Sequence, residues 1–202
     1  MKQKIQFVYF DIGGVMLRWI GILDIIAKRH NRDLEQVRLA FLKFDDQACK
    51  GLIKAEELWS KICDELNLPA GTVSDHRELT INTFEPIIET HRFAHKLSKK
   101  VRIGLLTNIH HGIFDLCYKQ GFVPNLNYSV IIQSCLIGLV KPQKEIYQHA
   151  QKQAKVPHEN ILFIDDYEAN VKGAAELGWN TVLFNPDKPI ESIKEIKKLL
   201  TR

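Results

Sequence analysis

The spacing of short apolar runs constrains this chain more than any other feature. Five runs rich in β-branched and aromatic residues read as strands: Ile5–Phe10, Val101–Leu106, Tyr128–Gln133, Asn160–Ile164 and Asn180–Phe184. Most are apolar at consecutive positions, the pattern of strands covered on both faces in a parallel sheet. The last four begin at 101, 128, 160 and 180, intervals of 27, 32 and 20 residues that suit strand–helix–strand crossovers. The first interval, from 5 to 101, is 96 residues and holds roughly 65 more than a crossover needs.

Helical patterns fill the gaps. Ile146, Ala150 and Ala154 recur at i, i+4, i+8; Ala174, Ala175 and Leu177 lead to Gly178; Ile193, Ile196 and Leu200 mark a last amphipathic helix. The long interval carries its own: Val37, Phe41 and Phe44, then Trp59, Ile62, Cys63 and Leu66, with no strand pattern. The expected fold class is α/β. It comprises a Rossmann-like, mainly parallel sheet of about five strands with helices on both faces, plus an inserted α-helical cap. The expected boundaries are 1–14 and 89–202 for the core and 15–88 for the cap.

Composition excludes several classes. Apolar residues make up 45% and charged residues 26%, which supports a packed core and argues against disorder. The net charge of +4 (28 Lys and Arg against 24 Asp and Glu) is spread along the chain. Its densest part, Lys194, Lys197, Lys198 and Arg202, reads as the solvated face of the last helix, so no nucleic-acid partner is expected. Cys49, Cys63, Cys117 and Cys135 form no CxxC and read as small buried hydrophobes in a reducing compartment. Lys2 and Lys4 precede a largely apolar stretch of only six residues, Ile5 to Phe10, before Asp11, too short for a secretory or membrane segment. A cytoplasmic protein without a membrane partner is expected.

Ligands of open parallel sheets bind beyond the carboxyl ends of the strands. There the chain places Asp11 after the first run, Thr107 and Asn108 after the second, Lys141 in Val140-Lys141-Pro142 beyond the third, and Asp165-Asp166 after the fourth. Each alone has a simpler reading as a turn, cap or solvated loop residue. The adjacent acids are the hardest to dismiss, because they repel unless a cation compensates them. Together the residues suit a Mg²⁺-assisted phosphoryl-transfer site. Asp11, Asp165 and Asp166 offer hard oxygen ligands, and Gly13 lets a main-chain carbonyl turn in. Thr107 and nearby amides can hydrogen-bond phosphate oxygens, while Lys141 neutralises charge. A carboxylate can itself attack phosphorus.

Phe10-Asp11-Ile12-Gly13-Gly14-Val15, Leu105-Leu106-Thr107-Asn108, Val140-Lys141-Pro142 and Phe163-Ile164-Asp165-Asp166 resemble the four ordered motifs of the haloacid dehalogenase superfamily. The long first interval falls where members with a helical cap carry it. The resemblance implies that Asp11 is the nucleophile and Thr107, with Asn108 and Gly13, binds phosphate. It further implies that Lys141 orients the nucleophile and that Asp11, Gly13, Asp165 and Asp166 serve Mg²⁺. In the response-regulator receiver, another Asp/Thr/Lys fold, the acidic pair comes first; here it comes last.

One departure stands out. Phosphatases of the superfamily usually read Asp-x-Asp, the second Asp being the general acid/base, and this chain has Gly13 there. Three readings are open: a silent binding or regulatory protein, a metal-independent 2-haloacid dehalogenase, or a phosphatase that manages without this acid. The retained acidic pair favours the third. Asp-x-Gly and the stretch from Gly51 to Trp59 are similar to the glucose-1-phosphate phosphatase-like branch, which implies a small sugar-phosphate-type substrate. His110 and His111 stand at the same rim and could touch substrate or replace the acid. Asn170 is expected to steady the acidic loop, and Trp19, Trp59 and Trp179 to serve packing.

Overall fold

The computed structural model describes residues 4–19 and 21–201. In chain order it begins with β1 (Phe7–Phe10), β2 (Leu17–Trp19), α1 (Ile22–Arg29), α2 (Leu34–Cys49), α3 (Ala55–Glu65), α4 (His76–Asn82) and β3 (Phe84–Pro86). There follow α5 (Ile88–Leu97), β4 (Arg102–Thr107), α6 (Ile113–Lys119), β5 (Val130–Gln133) and α7 (Ser134–Ile137). The chain closes with α8 (Lys144–Ala154), β6 (Ile161–Asp165), α9 (Glu168–Ala175), β7 (Asn180–Leu183) and α10 (Pro189–Leu200).

β5, β4, β1, β6 and β7 form, in that order, a five-stranded sheet whose pairs are all parallel. Alternation along its strands explains the continuous apolar runs. Val8, Phe10, Ile103, Leu105, Leu162 and Ile164 pack with residues of α5, α6 and α10. Their neighbours Phe7, Tyr9, Leu106, Ile161 and Phe163 pack with α8, Ala174 of α9 and Trp179. Both faces are therefore dry, and β1, in the middle, has all four side chains fully buried. Each such side chain contributes roughly 1.5–3 kcal/mol. The Tyr9 hydroxyl donates 2.8 Å to the Ala150 carbonyl, satisfying the polar atom that β1 takes inside.

The long interval folds into α1 to α4 around a separate cluster that includes Ile22, Val37, Phe41, Leu58, Trp59 and Ile62. Phe41 and Trp59, on two predicted helical faces, pack ring to ring at 6.0 Å. One feature was not expected there. β2 and β3 pair antiparallel, Leu17 opposite Pro86 and Trp19 opposite Phe84, as a two-stranded ribbon at the base of the helices. Val15, Met16, Leu17 and Ile87 pack in the sheet's own cluster, whereas the helical cluster runs from Ile22 to Leu79 among the described residues.

α9 ends at Ala175, before the expected stop, and Gly178 instead lies in the following turn at φ 81°. All four cysteines are free and buried. Lys194, Lys197 and Lys198 are exposed on α10; Lys2 and Arg202 lie outside the described residues. Among the described residues, no helix is long and apolar enough to cross a membrane.

Gly104 sits inside buried β4 because a Cβ there would lie 2.8 Å from Tyr9 Cε1 and the Val130 carbonyl oxygen and 2.9 Å from Phe7 Cε1. Gly104→Ala is expected to cost about 1–3 kcal/mol by overpacking, read as a lower urea midpoint at unchanged m-value.

Candidate active site

Strand register builds the site. Phe10 is level with Leu105 on one side and Ile164 on the other, so Asp11, Leu106 and Asp165 reach the same height at the sheet's carboxyl edge. The Asp11 amide extends the ladder by donating 2.9 Å to the Ile164 carbonyl. Lys141, between α7 and α8, enters from the neighbouring loop. Its buried ammonium donates 3.0 Å to the Leu106 carbonyl and 2.6 Å to Asp165 Oδ2. It also lies 2.9 Å from Asp11 Oδ1, an ion pair without hydrogen-bond alignment, which leaves that buried oxygen lacking a true donor.

Asn108 holds the lysine in place. Its amide nitrogen donates 2.9 Å to the Lys141 carbonyl, and its side-chain oxygen accepts from the Lys141 amide at 2.8 Å. The expectation that Asn108 binds phosphate is thus corrected for its side chain, which positions Lys141 instead. Thr107 ends β4 buried, and its hydroxyl has only a 3.5 Å contact to the Asn108 carbonyl, so it remains available to a ligand.

The two adjacent acids differ. Asp165 is saturated: besides Lys141, it accepts from the Tyr167 amide at 2.8 Å and from Asn170 Nδ2 at 3.1 and 3.2 Å. Asn170 therefore does steady the acidic loop. Asp166 packs against the chain at Gly14, where a Cβ would stand 1.9 Å from its Oδ2. With φ at +66°, Gly14 is the glycine that this geometry requires. Gly13 meets nothing within 4 Å of its Cβ position, so the place of the missing acid is open space.

Carboxylate oxygens of Asp11, Asp165 and Asp166 lie within 4.8 Å of one another. Burial pushes Asp11 up to about 7, with Lys141 opposing the rise and Asp165 adding to it. Desolvation at the crowded rim, then the Asp165 charge, lifts Asp166 to about 6. Burial would depress Lys141, but Asp11 and Asp165 outweigh it and hold the ammonium above its ordinary value. Three carboxylates against one ammonium leave two negative charges when all ionise. An all-oxygen donor set, an unsatisfied Asp11 oxygen and a charge deficit of two fit a hard divalent cation such as Mg²⁺.

A second group escaped the sequence. His110 Nε2 lies 2.7 Å from Asp45 Oδ1 on α2, with Cys49 Sγ 3.8 Å from the same carboxylate. Burial and then Asp45 hold the Cys49 thiol well above its ordinary pKa, so it is no thiolate ligand. His111 stands beside Gly51, whose Cβ position is 2.8 Å from its Nε2. Ser134 Oγ donates 2.6 Å to the Cys49 carbonyl and accepts from the Ile109 amide at 2.9 Å, tying α2 to the loop after β4. Only folding joins α2 to that loop; no local motif marks Asp45.

The sequence pattern of haloacid dehalogenase-like hydrolases matches residues 8–178, a span that contains every residue of the rim. The chain belongs to this hydrolase family. A mouse relative, acyl-CoA dehydrogenase family member 10 (Mus musculus), is 27% identical over 205 residues. These cover 96% of this chain but only 19% of that protein, so the chain spans about a fifth of it. The sesquiterpene phosphatase of Aspergillus oryzae is 25% identical over 170 residues, 84% of each chain. Among solved structures, a predicted family hydrolase from Porphyromonas gingivalis superposes with a TM-score of 0.78 at 22% identity, covering 98% of both chains. A family enzyme from Bacteroides thetaiotaomicron, in complex with magnesium and inorganic phosphate, gives 0.69 at 21% identity over 89% of this chain and 94% of that one. At these identities the structural likeness is one of fold.

Lys141→Ala in this hydrolase leaves Asp11 and Asp165 facing one another. The expected loss in the cation-free protein is about 3–5 kcal/mol at pH 7.5. Asp11 and Asp166 bind protons more readily folded than unfolded, so stability falls as pH rises through the 6–7 range of their raised values. The loss is therefore expected to be smaller at pH 5, as urea unfolding at the two pH values would measure.

Proposed function

We propose that the chain is a Mg²⁺-dependent phosphatase that hydrolyses a small phosphate monoester through an aspartyl-phosphate at Asp11. The observation that carries this reading is the Lys141 ammonium between Asp11 and Asp165, with Asp166 beside them. A metal-independent dehalogenation leaves the uncompensated acids unexplained. The magnesium and phosphate bound to the Bacteroides relative and the phosphatase activity named for the Aspergillus relative lend support.

Asp11 and Asp166, with the Gly13 main-chain carbonyl, would hold the ion; Asp165, already saturated, serves chiefly to anchor Lys141. When bound, Mg²⁺ supplies positive charge for phosphate and carboxylate oxygens. Lys141 opposes the protonation of Asp11 and aims it. The Asp11 carboxylate attacks phosphorus, the bond from phosphorus to the alcohol oxygen breaks with that oxygen taking a proton from solvent water in the open space beside Gly13, and the Thr107 hydroxyl and nearby amides bind the phosphoryl oxygens. Water then hydrolyses the acyl phosphate, returning the carboxylate and inorganic phosphate. The ligand is thus a phosphorylated metabolite, and no nucleic-acid or membrane partner is invoked.

A panel of phosphate monoesters is expected to release phosphate with Mg²⁺, with loss of about 10³-fold or more in Asp11→Asn or with EDTA. Chloride release from a 2-haloacid without metal, or ligand binding without turnover on any ester, would overturn the reading. Because Gly13 faces open space, Gly13→Asp should fold and restore a proton donor. It is expected to raise kcat on alkyl phosphates at least about tenfold, and far less on acetyl phosphate, whose leaving group needs no proton.

A further inference from the structure

A cavity of about 210 Å³ separates the helices of the insertion from the strand ends. Gly13, Thr107 and Asn108 line one end, so it opens on the reacting rim. Its walls are aromatic: Trp19 of β2, Phe41 of α2, Trp59 of α3 and Phe84 of β3. The Phe41 ring is 5.4 Å from Trp19 and 6.0 Å from Trp59, which makes these walls nearly continuous. Among the described residues, no lysine or arginine lines the space.

A sugar brings several hydroxyls, each of which loses its water on entry and needs a partner. The walls offer few. Asp45 and His110 are bonded to each other at 2.7 Å, and Thr80 Oγ1 donates 2.7 Å to the His76 carbonyl. Beyond the rim, Asp45, His76, Thr80 and His110 are the few polar side chains among the described residues of the lining, apart from the indole N–H groups of its tryptophans. His76 is only 6% exposed, lines the cavity, and has no hydrogen-bond partner at Nε2. Its Nδ1 is 3.2 Å from the Val73 carbonyl oxygen, which can only accept, so Nδ1 carries the proton. Nε2 is closed off from the space, so the ring adds aromatic wall and no polar contact.

We infer that the ester taken here is the phosphate of a compact, mainly apolar alcohol, aromatic or branched aliphatic. This rests on the phosphatase reading for the phosphate end and on the cavity for the alcohol. The volume, below the roughly 300–1,000 Å³ of sites for drug-sized ligands, sets the limit on size. The lining favours an apolar alcohol over the sugar expected from the sequence, whose several hydroxyls would meet few polar side chains here.

Binding and turnover test it separately. Trp19 and Trp59 report binding by fluorescence, with non-hydrolysable benzylphosphonate and 2-hydroxyethylphosphonate as probes in the presence of Mg²⁺. Benzylphosphonate is expected to bind at least about tenfold tighter. Benzyl phosphate is expected to exceed glucose 1-phosphate in kcat/KM by a similar margin. Trp19→Ala, at a half-exposed position, should weaken benzylphosphonate more than the polar probe. Equal binding of the two phosphonates, or faster turnover of glucose 1-phosphate, overturns the inference and leaves the phosphatase standing. Selective binding of benzylphosphonate with no turnover of any ester supports the cavity and removes the phosphatase.

Discussion

The buried ammonium of Lys141 carries three protons, and the site presents three oxygens to it. These belong to the Leu106 carbonyl on β4, Asp11 after β1 and Asp165 on β6. One cation thus holds the carboxyl ends of three adjacent strands at one height. Desolvating such a cluster is costly, and its net contribution to stability is small or negative compared with an apolar filling. Its retention is easier to explain by what it does to Asp11. Burial pushes Asp11 up to about 7 even with the lysine beside it; without the lysine the carboxyl would hold its proton more firmly still, and a protonated carboxyl is no nucleophile. The rest of the rim follows: Asn108 clamps the lysine main chain, while Asn170 and the Tyr167 amide saturate Asp165.

Around that rim the chain divides its labour. The sheet, dry on both faces, fixes the reacting groups through strand register and rigid packing. The inserted helices supply walls instead. They meet the core through Ser134, which links α2 to the loop after β4, and through the His110–Asp45 pair. The β2–β3 ribbon contributes Trp19 and Phe84, so even the stem of the insertion faces the cavity. Chemistry and selectivity therefore sit on different layers that can vary independently.

The five sheet strands were legible because each is a short apolar run placed at a crossover's distance from the next. Their ends shifted by up to two residues, since the ladder starts only where a neighbour is present: β1 at Phe7 and β5 at Val130. The ribbon was not legible. Three residues such as Phe84-Glu85-Pro86 carry no period, and pairing across the insertion is a property of its closure. Among the rim residues, Asp11, Thr107, Lys141, Asp165 and Asp166 were legible from their places after strands. The turning of Asn108 toward Lys141 was not, because it depends on two loops approaching each other.

The sequence by itself determined the fold class, the large helical insertion and the set of groups gathered at one edge, because periodicity and strand spacing are local properties. It also marked the missing acid at Gly13. Only the tertiary structure decided what that absence means in space. The position is open, whereas the next glycine, Gly14, is the one pressed against Asp166. Tertiary structure likewise separated a saturated Asp165 from a free Asp166, and lined the cavity with rings from four elements. Those facts arise where segments distant in the chain are brought within a few ångströms, and no residue's own neighbours in sequence encode them.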